Sequence, residues 1–229
     1  MKTKFLAVVL FLTTISVYSF GQGSNAILRG GLNLANVSIT SNGSVDDAKM
    51  LASFQVGIIG DIHVASILYF QPGLVFTGKG TKSQSGTEGS ANWYRATTNP
   101  YYIEVPLSFI LKSPTGPVKF FGGAGPYLAV GIAGKNKVKG AVFGTGFNSE
   151  KSIVWSNDDP TTLNSDEGAG FGIMKRFDYG LNGTVGVQGK SAVFSVNYGL
   201  GLAKLQSGNN NSDNNNKHRV LSFTLGFKL

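Results

Sequence analysis

The sequence predicts an all-β protein, an eight-stranded antiparallel up-and-down transmembrane β-barrel. Three observations predict it. Eight segments alternate apolar with small or polar residues. The gaps between them alternate short and long. No apolar run beyond the N-terminal segment reaches the 18 or so residues that a spanning helix needs. Backbone N–H and C=O groups inside a bilayer must all be paired, so strands cross it only as a closed ring.

Composition agrees with that reading. Charged residues make up 14%, aromatics 11%, and glycine occurs 32 times in 229 residues. An ordinary soluble domain is about one quarter charged and roughly 7% glycine. Mean hydropathy is +0.04, too low for a bundle of spanning helices. It suits a barrel, where alternate residues face lipid and lumen. The chain has no cysteine, which excludes disulfides, thiol nucleophiles, cysteine metal sites and a lipidated N-terminal cysteine.

The N-terminus reads as an address. Lys2 and Lys4 precede a largely apolar run from Phe5 to Tyr18, and Ser19-Phe20-Gly21 supplies small residues at a cleavage site. Residues 1–21 are expected to be a signal peptide cut before Gln22, leaving a single barrel domain over 22–229. Removing Lys2 and Lys4 takes the formal charge from +8 to about +6. The remaining cations are scattered, the densest group being Lys135, Lys137 and Lys139, so no nucleic-acid partner is expected and these lysines read as a solvated loop face.

The expected strands follow in order. Ala26–Val37 sets Leu28, Leu32 and Leu34 against Arg29, Gly31 and Asn33. Leu51–Ile62 sets Phe54, Val56, Ile58 and Ile62 against Ser53, Gln55, Gly57 and Asp61. Ile67–Thr77 opposes Phe70, Leu74 and Phe76 to Tyr69, Gln71 and Gly73. Tyr101–Lys112 is the cleanest, with Ile103, Val105, Leu107, Phe109 and Leu111 alternating with Tyr102, Glu104, Pro106, Ser108 and Lys112. Val118–Ala133 places Phe120, Leu128, Val130 and Ile132 outward and Lys119 and Tyr127 inward. Phe171–Val187 opposes Phe177, Tyr179 and Leu181 to Arg176, Asp178 and Asn182. Ala192–Leu202 carries Phe194, Val196 and Tyr198 on one face, and Arg219–Leu229 carries Leu221, Phe223, Leu225 and Phe227.

Short gaps fall at His63–Ser66, Ser113–Pro117 and Gln188–Ser191; long ones fall near 38–50, 78–100, 134–170 and 203–218. Outer-membrane barrels have short periplasmic turns and longer extracellular loops, so this sorting also assigns a direction. With that direction Phe70, Phe109, Phe120, Phe194 and Phe227 fall at the periplasmic rim, and Phe54, Phe76 and Tyr101 at the outer rim. Aromatic girdles belong at those two levels.

Several segments resemble the outer-membrane β-barrel family of Bacteroidetes, the PorT-like or OmpX-like barrels. They are Gly31-Leu32-Asn33-Leu34-Ala35-Asn36, Gln71-Pro72-Gly73-Leu74-Val75-Phe76-Thr77-Gly78-Lys79-Gly80 and Tyr102-Ile103-Glu104-Val105-Pro106-Leu107. Gly123-Ala124-Gly125-Pro126-Tyr127-Leu128 and Phe177-Asp178-Tyr179-Gly180-Leu181 complete the set, which spans nearly the whole mature chain. The resemblance implies an eight-stranded barrel in the outer membrane, inserted by the barrel-assembly machinery. It also permits a role as a component of a secretion or gliding apparatus. Barrels of this class tend to end in Phe; this chain departs from that with Phe227-Lys228-Leu229.

Strand parity puts Arg29, Asp61, Glu104, Lys119, Arg176 and Asp178 in the lumen. A ring of eight strands is filled by its own side chains, and charges buried there must be paired. Three cations and three anions suit a structural plug, with Arg29–Asp61 the first pair expected. Glu104 and Asp178 need a cation such as Arg176 or Arg29 between them. Catalysis is not expected: His63 falls in a periplasmic turn and His218 stands alone at the start of the last strand. Asp158, Asp159, Asp166 and Glu167 lack the spacing of a calcium loop, and no metal or cofactor is expected. Gly208–Lys217 is Asn-rich and reads as a surface loop. Trp93, Tyr94 and Trp155 are candidate interaction residues of the outer loops, where envelope protein partners would dock; the other reading is that these rings pack on their own loops. The expected function is therefore a non-enzymatic barrel with a structural or interaction role, bathed in outer-membrane lipid. A narrow channel or small-ligand binder is the remaining alternative.

Overall fold

The structure, a computed structural model, describes residues 25–38, 40–41, 44–45, 49–157, 172–206 and 216–229. The N-terminal address, the acidic residues Asp158, Asp159, Asp166 and Glu167, and most of the Asn-rich stretch lie outside the described residues.

Eight strands form the wall: β1 Asn25–Ser38, β2 Lys49–Ala65, β3 Leu68–Gly78, β4 Trp93–Lys112, β5 Lys119–Val142, β6 Phe177–Gln188, β7 Ala192–Gly201 and β8 Lys217–Lys228. Each is antiparallel to its sequence neighbour. The last closes on the first, with Leu28 opposite Phe227 and Leu34 opposite Leu221. Closure leaves no edge in the membrane, which satisfies the backbone without water.

The alternation read from sequence is the alternation of exposure. Leu32, Ile58, Leu74, Phe109, Phe120, Leu128, Val185, Phe194 and Leu225 are exposed outward, while Asn33, Ile59, Val75, Ile110, Phe121, Tyr127 and Thr224 are buried inward. An exposed apolar belt around a filled interior that mixes polar and apolar side chains is unlike a soluble domain, and lipid is the solvent that makes it stable. The girdles form as ring contacts. Phe70 and Phe109 lie 5.2 Å apart on the turn side. Phe54, Phe76 and Tyr101 cluster on the other, with Phe76 and Tyr101 stacked at 5.3 Å.

The long gaps differ from expectation. Regions expected as the second and third outer loops carry strands. β4 and β5 run far past the outer girdle, pairing up to Trp93 opposite Ala141. Two further strands, Thr81–Ser85 and Thr145–Ser152, flank them, so a four-stranded sheet stands above the membrane. Hydrophobic periodicity does not reveal this sheet, because above the bilayer neither face needs to be apolar. Phe143 (φ 50°) and Gly144 (φ 77°) make its tight turn, the pair of positive φ values that a two-residue hairpin requires.

The expected sixth strand also shortens: the wall begins at Phe177. The residues before it instead form a parallel pairing of Val154–Trp155 with Ile173–Met174.

Candidate functional site

The lumen is the one place where charge is concentrated inside the wall, and three layers fill it. Nearest the short turns, Lys112 of β4 reaches across to Asp61 of β2, its Nζ donating to Oδ1 at 2.6 Å and to Gln188 Oε1 at 2.8 Å. Gln71 donates to the same Asp61 oxygen at 3.0 Å, and the Lys112 ammonium sits 4.0 Å from the centre of the Tyr69 ring. Above this lies an apolar layer of Ile27, Ile59, Val75, Ile110, Phe121 and Val193.

The third layer is built on Lys79, the residue just past the end of β3. Its ammonium donates to Glu104 Oε2 at 2.7 Å and Asp178 Oδ2 at 2.9 Å, with its side chain only 4% exposed. Tyr127 donates to the same Asp178 oxygen at 3.1 Å, and its ring lies 3.9 Å beneath the ammonium. Asn182 donates to the other Glu104 oxygen at 2.9 Å. One cation thus holds two carboxylates from β4 and β6, and each carboxylate has a neutral donor as well. Pairing of this kind makes buried charge tolerable, although Asp178 Oδ1 itself is buried without a hydrogen-bond partner.

Between the apolar layer and Lys79 a cavity of about 50 Å³ is bordered by Arg29, Gln55, Thr77, Asn182, Thr184 and Ser222, among others. That is room for a few waters, since one needs roughly 10–15 Å³ on this measure. Sites for organic ligands are about 300 Å³ or more.

Over the third layer sits a cap. Val37, Ile153, Met174 and Leu205 bury one another, with Trp155 packed against them. Backbone bonds stitch it together: Ile153 N–H donates to Gly134, Ser156 to Met174, Lys175 to Leu205 and Leu205 to Asn216. Trp155 meets Tyr102 edge-on at 5.6 Å. It occupies the space that glycine leaves at position 131, where an added Cβ would fall 2.3 Å from the indole. Tyr102 and His218 complete the underside, with the imidazole Nε2 3.2 Å from the phenol oxygen.

The sequence-derived site residues are placed as follows. Asp61, Glu104 and Asp178 are buried in the lumen. Arg29 borders the central cavity, and Lys119 is half-buried at the turn end. Arg176 is exposed, lying one residue before β6 starts, where the chain bends into the cap and strand parity no longer governs direction. Asp61 is paired with Lys112 rather than with Arg29. The cation between Glu104 and Asp178 is Lys79, neither Arg176 nor Arg29. Lys79 lay in an expected loop, so parity gave it no face, although the need for a cation was legible. Lys112 was on the inward parity and could have been counted from the alternation alone. Of the loop aromatics, Trp155 is part of the cap, whereas Trp93 and Tyr94 border an open groove at the sheet tip with Val142 and Phe147. His218 does not stand alone: it is buried beneath the cap.

A closed eight-strand ring with an apolar outer belt is now defined, and comparison with known proteins adds its family. The model of the outer membrane protein beta-barrel domain matches residues 20–227. The chain belongs to that family, and its place is the outer membrane. No curated protein matches it in sequence. Among solved structures it is similar to Ail, the attachment invasion locus protein of Yersinia pestis, solved with the heparin analogue sucrose octasulfate. The identity is 14% and the TM-score 0.42, over 90% of this chain and 99% of that one. It is also similar to Neisserial surface protein A, at 15% identity and TM-score 0.39 over 91% and 100% of the two chains. OprG from Pseudomonas aeruginosa gives 13% identity and TM-score 0.36 over 90% and 96%.

Proposed function

We propose that this outer-membrane barrel is non-enzymatic and sealed, and that it acts through what it displays outside the membrane, in a structural or interaction role. The observation that carries this reading is Lys79 gripping Glu104 and Asp178 across the bore. Among the described residues, a cap above and an apolar layer below close over the bore. A cavity of about 50 Å³ speaks against the narrow channel and the small-ligand barrel alike. His218, the imidazole nearest the outer rim, is buried against Tyr102 and has no nucleophile beside it among the described residues. The signal peptide over 1–21, insertion by the barrel-assembly machinery, and docking of envelope proteins on the outer sheet belong to the same reading. Planar-bilayer recording tests it: the folded barrel is expected to give no discrete conductance, and steady unitary steps would overturn the sealed lumen.

A second reading, a PorT-like component of a Bacteroidetes protein-secretion apparatus, draws on the family-like segments. The outer sheet adds one observation in its favour. Its edge strand Thr145–Ser152 is exposed at every residue and pairs only with β5 among the described residues. Such an edge is a template for adding a strand. Co-purification of the barrel with other envelope components would support the apparatus, and a barrel recovered alone would count against it.

A further inference from the structure

The outward face of the sheet above the membrane carries a ladder of cations. Cross-strand pairs share a face, so Arg95 with Lys139, Thr97 with Lys137 and Asn99 with Lys135 form one row set. Lys82 joins it opposite Thr97. These rows continue upward from Tyr101, Ile103 and Val105, the lipid-facing side of β4. On β4 and β5 the inward row of the same sheet, Ala96, Thr98, Asn136 and Val138, is buried and uncharged, whereas Lys151 on the edge strand opposite Asn136 is exposed.

A bulge creates this arrangement. Tyr101 pairs with Ala133 but Tyr102 pairs with Gly131, so β5 carries one extra residue at that point. Below it, the residues on the parity of Tyr127 and Ala129 face the lumen. Without the extra residue, Lys135, Lys137 and Lys139 would share that parity. A one-residue shift turns a whole strand over. Here it brings three lysines from the inner face to the outer one.

Height decides what they meet. Tyr101 stacks in the outer girdle, and Asn99, Thr97 and Arg95 lie two, four and six residues beyond it. At about 3.3 Å per residue and a tilt near 40°, the rows rise roughly 5, 10 and 15 Å above the girdle. The headgroup zone extends roughly 5–8 Å beyond the hydrocarbon. Lys135 therefore stands at the level of lipid phosphates, with Lys137 a few Å above it and Lys139 and Arg95 higher still, reaching back on long side chains.

Among the described residues the face is only partly neutralised. Glu150 accepts from Lys135 at 2.7 Å and Lys137 at 3.1 Å, and Glu88 accepts from Arg95 at 2.6 Å. Among the described residues two carboxylates thus serve five cations. The Lys135 side chain stays 72% exposed in its pair.

We infer that Lys135, Lys137 and Lys139, with Arg95 and Lys82, form a docking face for the phosphate groups of outer-leaflet lipid, laid directly above the girdle. Ammonium groups held in a row at that level stand where mobile cations would otherwise screen neighbouring lipid phosphates. The inference uses the barrel's orientation and is independent of whether the lumen conducts.

The test uses the full barrel folded in neutral detergent, titrated with lipid A carrying its phosphates and with dephosphorylated lipid A. Wild type is expected to bind the phosphorylated lipid preferentially and more weakly at high salt. Lys135→Gln with Lys137→Gln and Lys139→Gln is expected to weaken that binding by at least tenfold, on the order of a hundredfold if each lysine contributes as near an anionic surface. Glu150→Gln, which keeps every lysine, is expected to tighten it. Equal binding of the two lipids, or an unchanged midpoint in the triple variant, overturns the inference. Competition by inorganic phosphate at concentrations comparable to the lipid also overturns it, because the site would then read a free anion rather than a membrane lipid.

Discussion

Lys79 Nζ and Asp178 Oδ2, 99 positions apart in the chain, meet at 2.9 Å inside the barrel. Glu104 lies on the same ammonium at 2.7 Å. Neither carboxylate has another cation at ion-pair distance among the described residues. Replacing Lys79 by Met should therefore cost about 3–5 kcal/mol, the usual cost of leaving buried charge unpaired. The urea midpoint of the refolded barrel reports it. Adding Glu104→Gln and Asp178→Asn to the same chain should recover much of the loss, because the stranded charges are then gone.

The cap gives a second outcome. A side chain at Gly131 must displace the Trp155 ring, since even a Cβ falls 2.3 Å from it. In a Trp93→Phe background, Gly131→Val is expected to shift Trp155 emission to longer wavelength and raise its quenching by iodide. An unshifted spectrum would mean that the indole is not seated over the bore.

A third concerns pH. The hydrogen bond from Lys135, then that from Lys137, holds the Glu150 carboxyl down to about 2, below its ordinary value. A depressed carboxylate contributes to stability above its unfolded value and loses that contribution as pH falls through the folded one. Glu150 should thus remain ionised at pH 4, and its carbon resonance should titrate near pH 2. With Lys135→Gln and Lys137→Gln the transition should move up toward the ordinary range. The pair is exposed, so little global stability should change with it.

The lipid face supplies a fourth. Leu128 is exposed on the outer belt, on the stretch of β5 between the two girdles. Leu128→Arg is expected to destabilise the folded barrel by about 2–4 kcal/mol if this position lies near the midplane, whereas Phe109→Arg at the rim should cost about 0–1 kcal/mol. Denaturant unfolding in lipid vesicles separates the two. A soluble barrel would tolerate both equally.

The wall was legible because lipid and lumen impose a strict period of two. From Tyr101 to Leu111 every residue on the outward parity is apolar, and the short gaps assign which end is which. The sheet above the membrane was not, because Arg95, Thr97, Lys137 and Lys139 are polar residues in a solvated setting, where no face is forced to be apolar. The bulge beside Tyr102 leaves no mark in composition either, and with it the direction of Lys135 was lost. Inside, the demand for a cation between Glu104 and Asp178 followed from charge alone. Its identity depended on Lys79 bending inward just beyond β3, which a period cannot report. Trp155 shows the same limit from the other side. In sequence it reads either as an exposed anchor or as a ring packed within its loop, and a period cannot report that the space left by Gly131 draws it over the bore.

The central claim is a closed ring of eight strands that crosses the membrane. Migration of the membrane-extracted protein on a detergent gel, with and without boiling, tests it most directly. The account expects the unboiled protein to run as a compact, faster band and the boiled protein to shift towards the mobility of its unfolded chain, whose full sequence has a mass of 24.2 kDa. A single band, unmoved by boiling, would contradict the closed barrel.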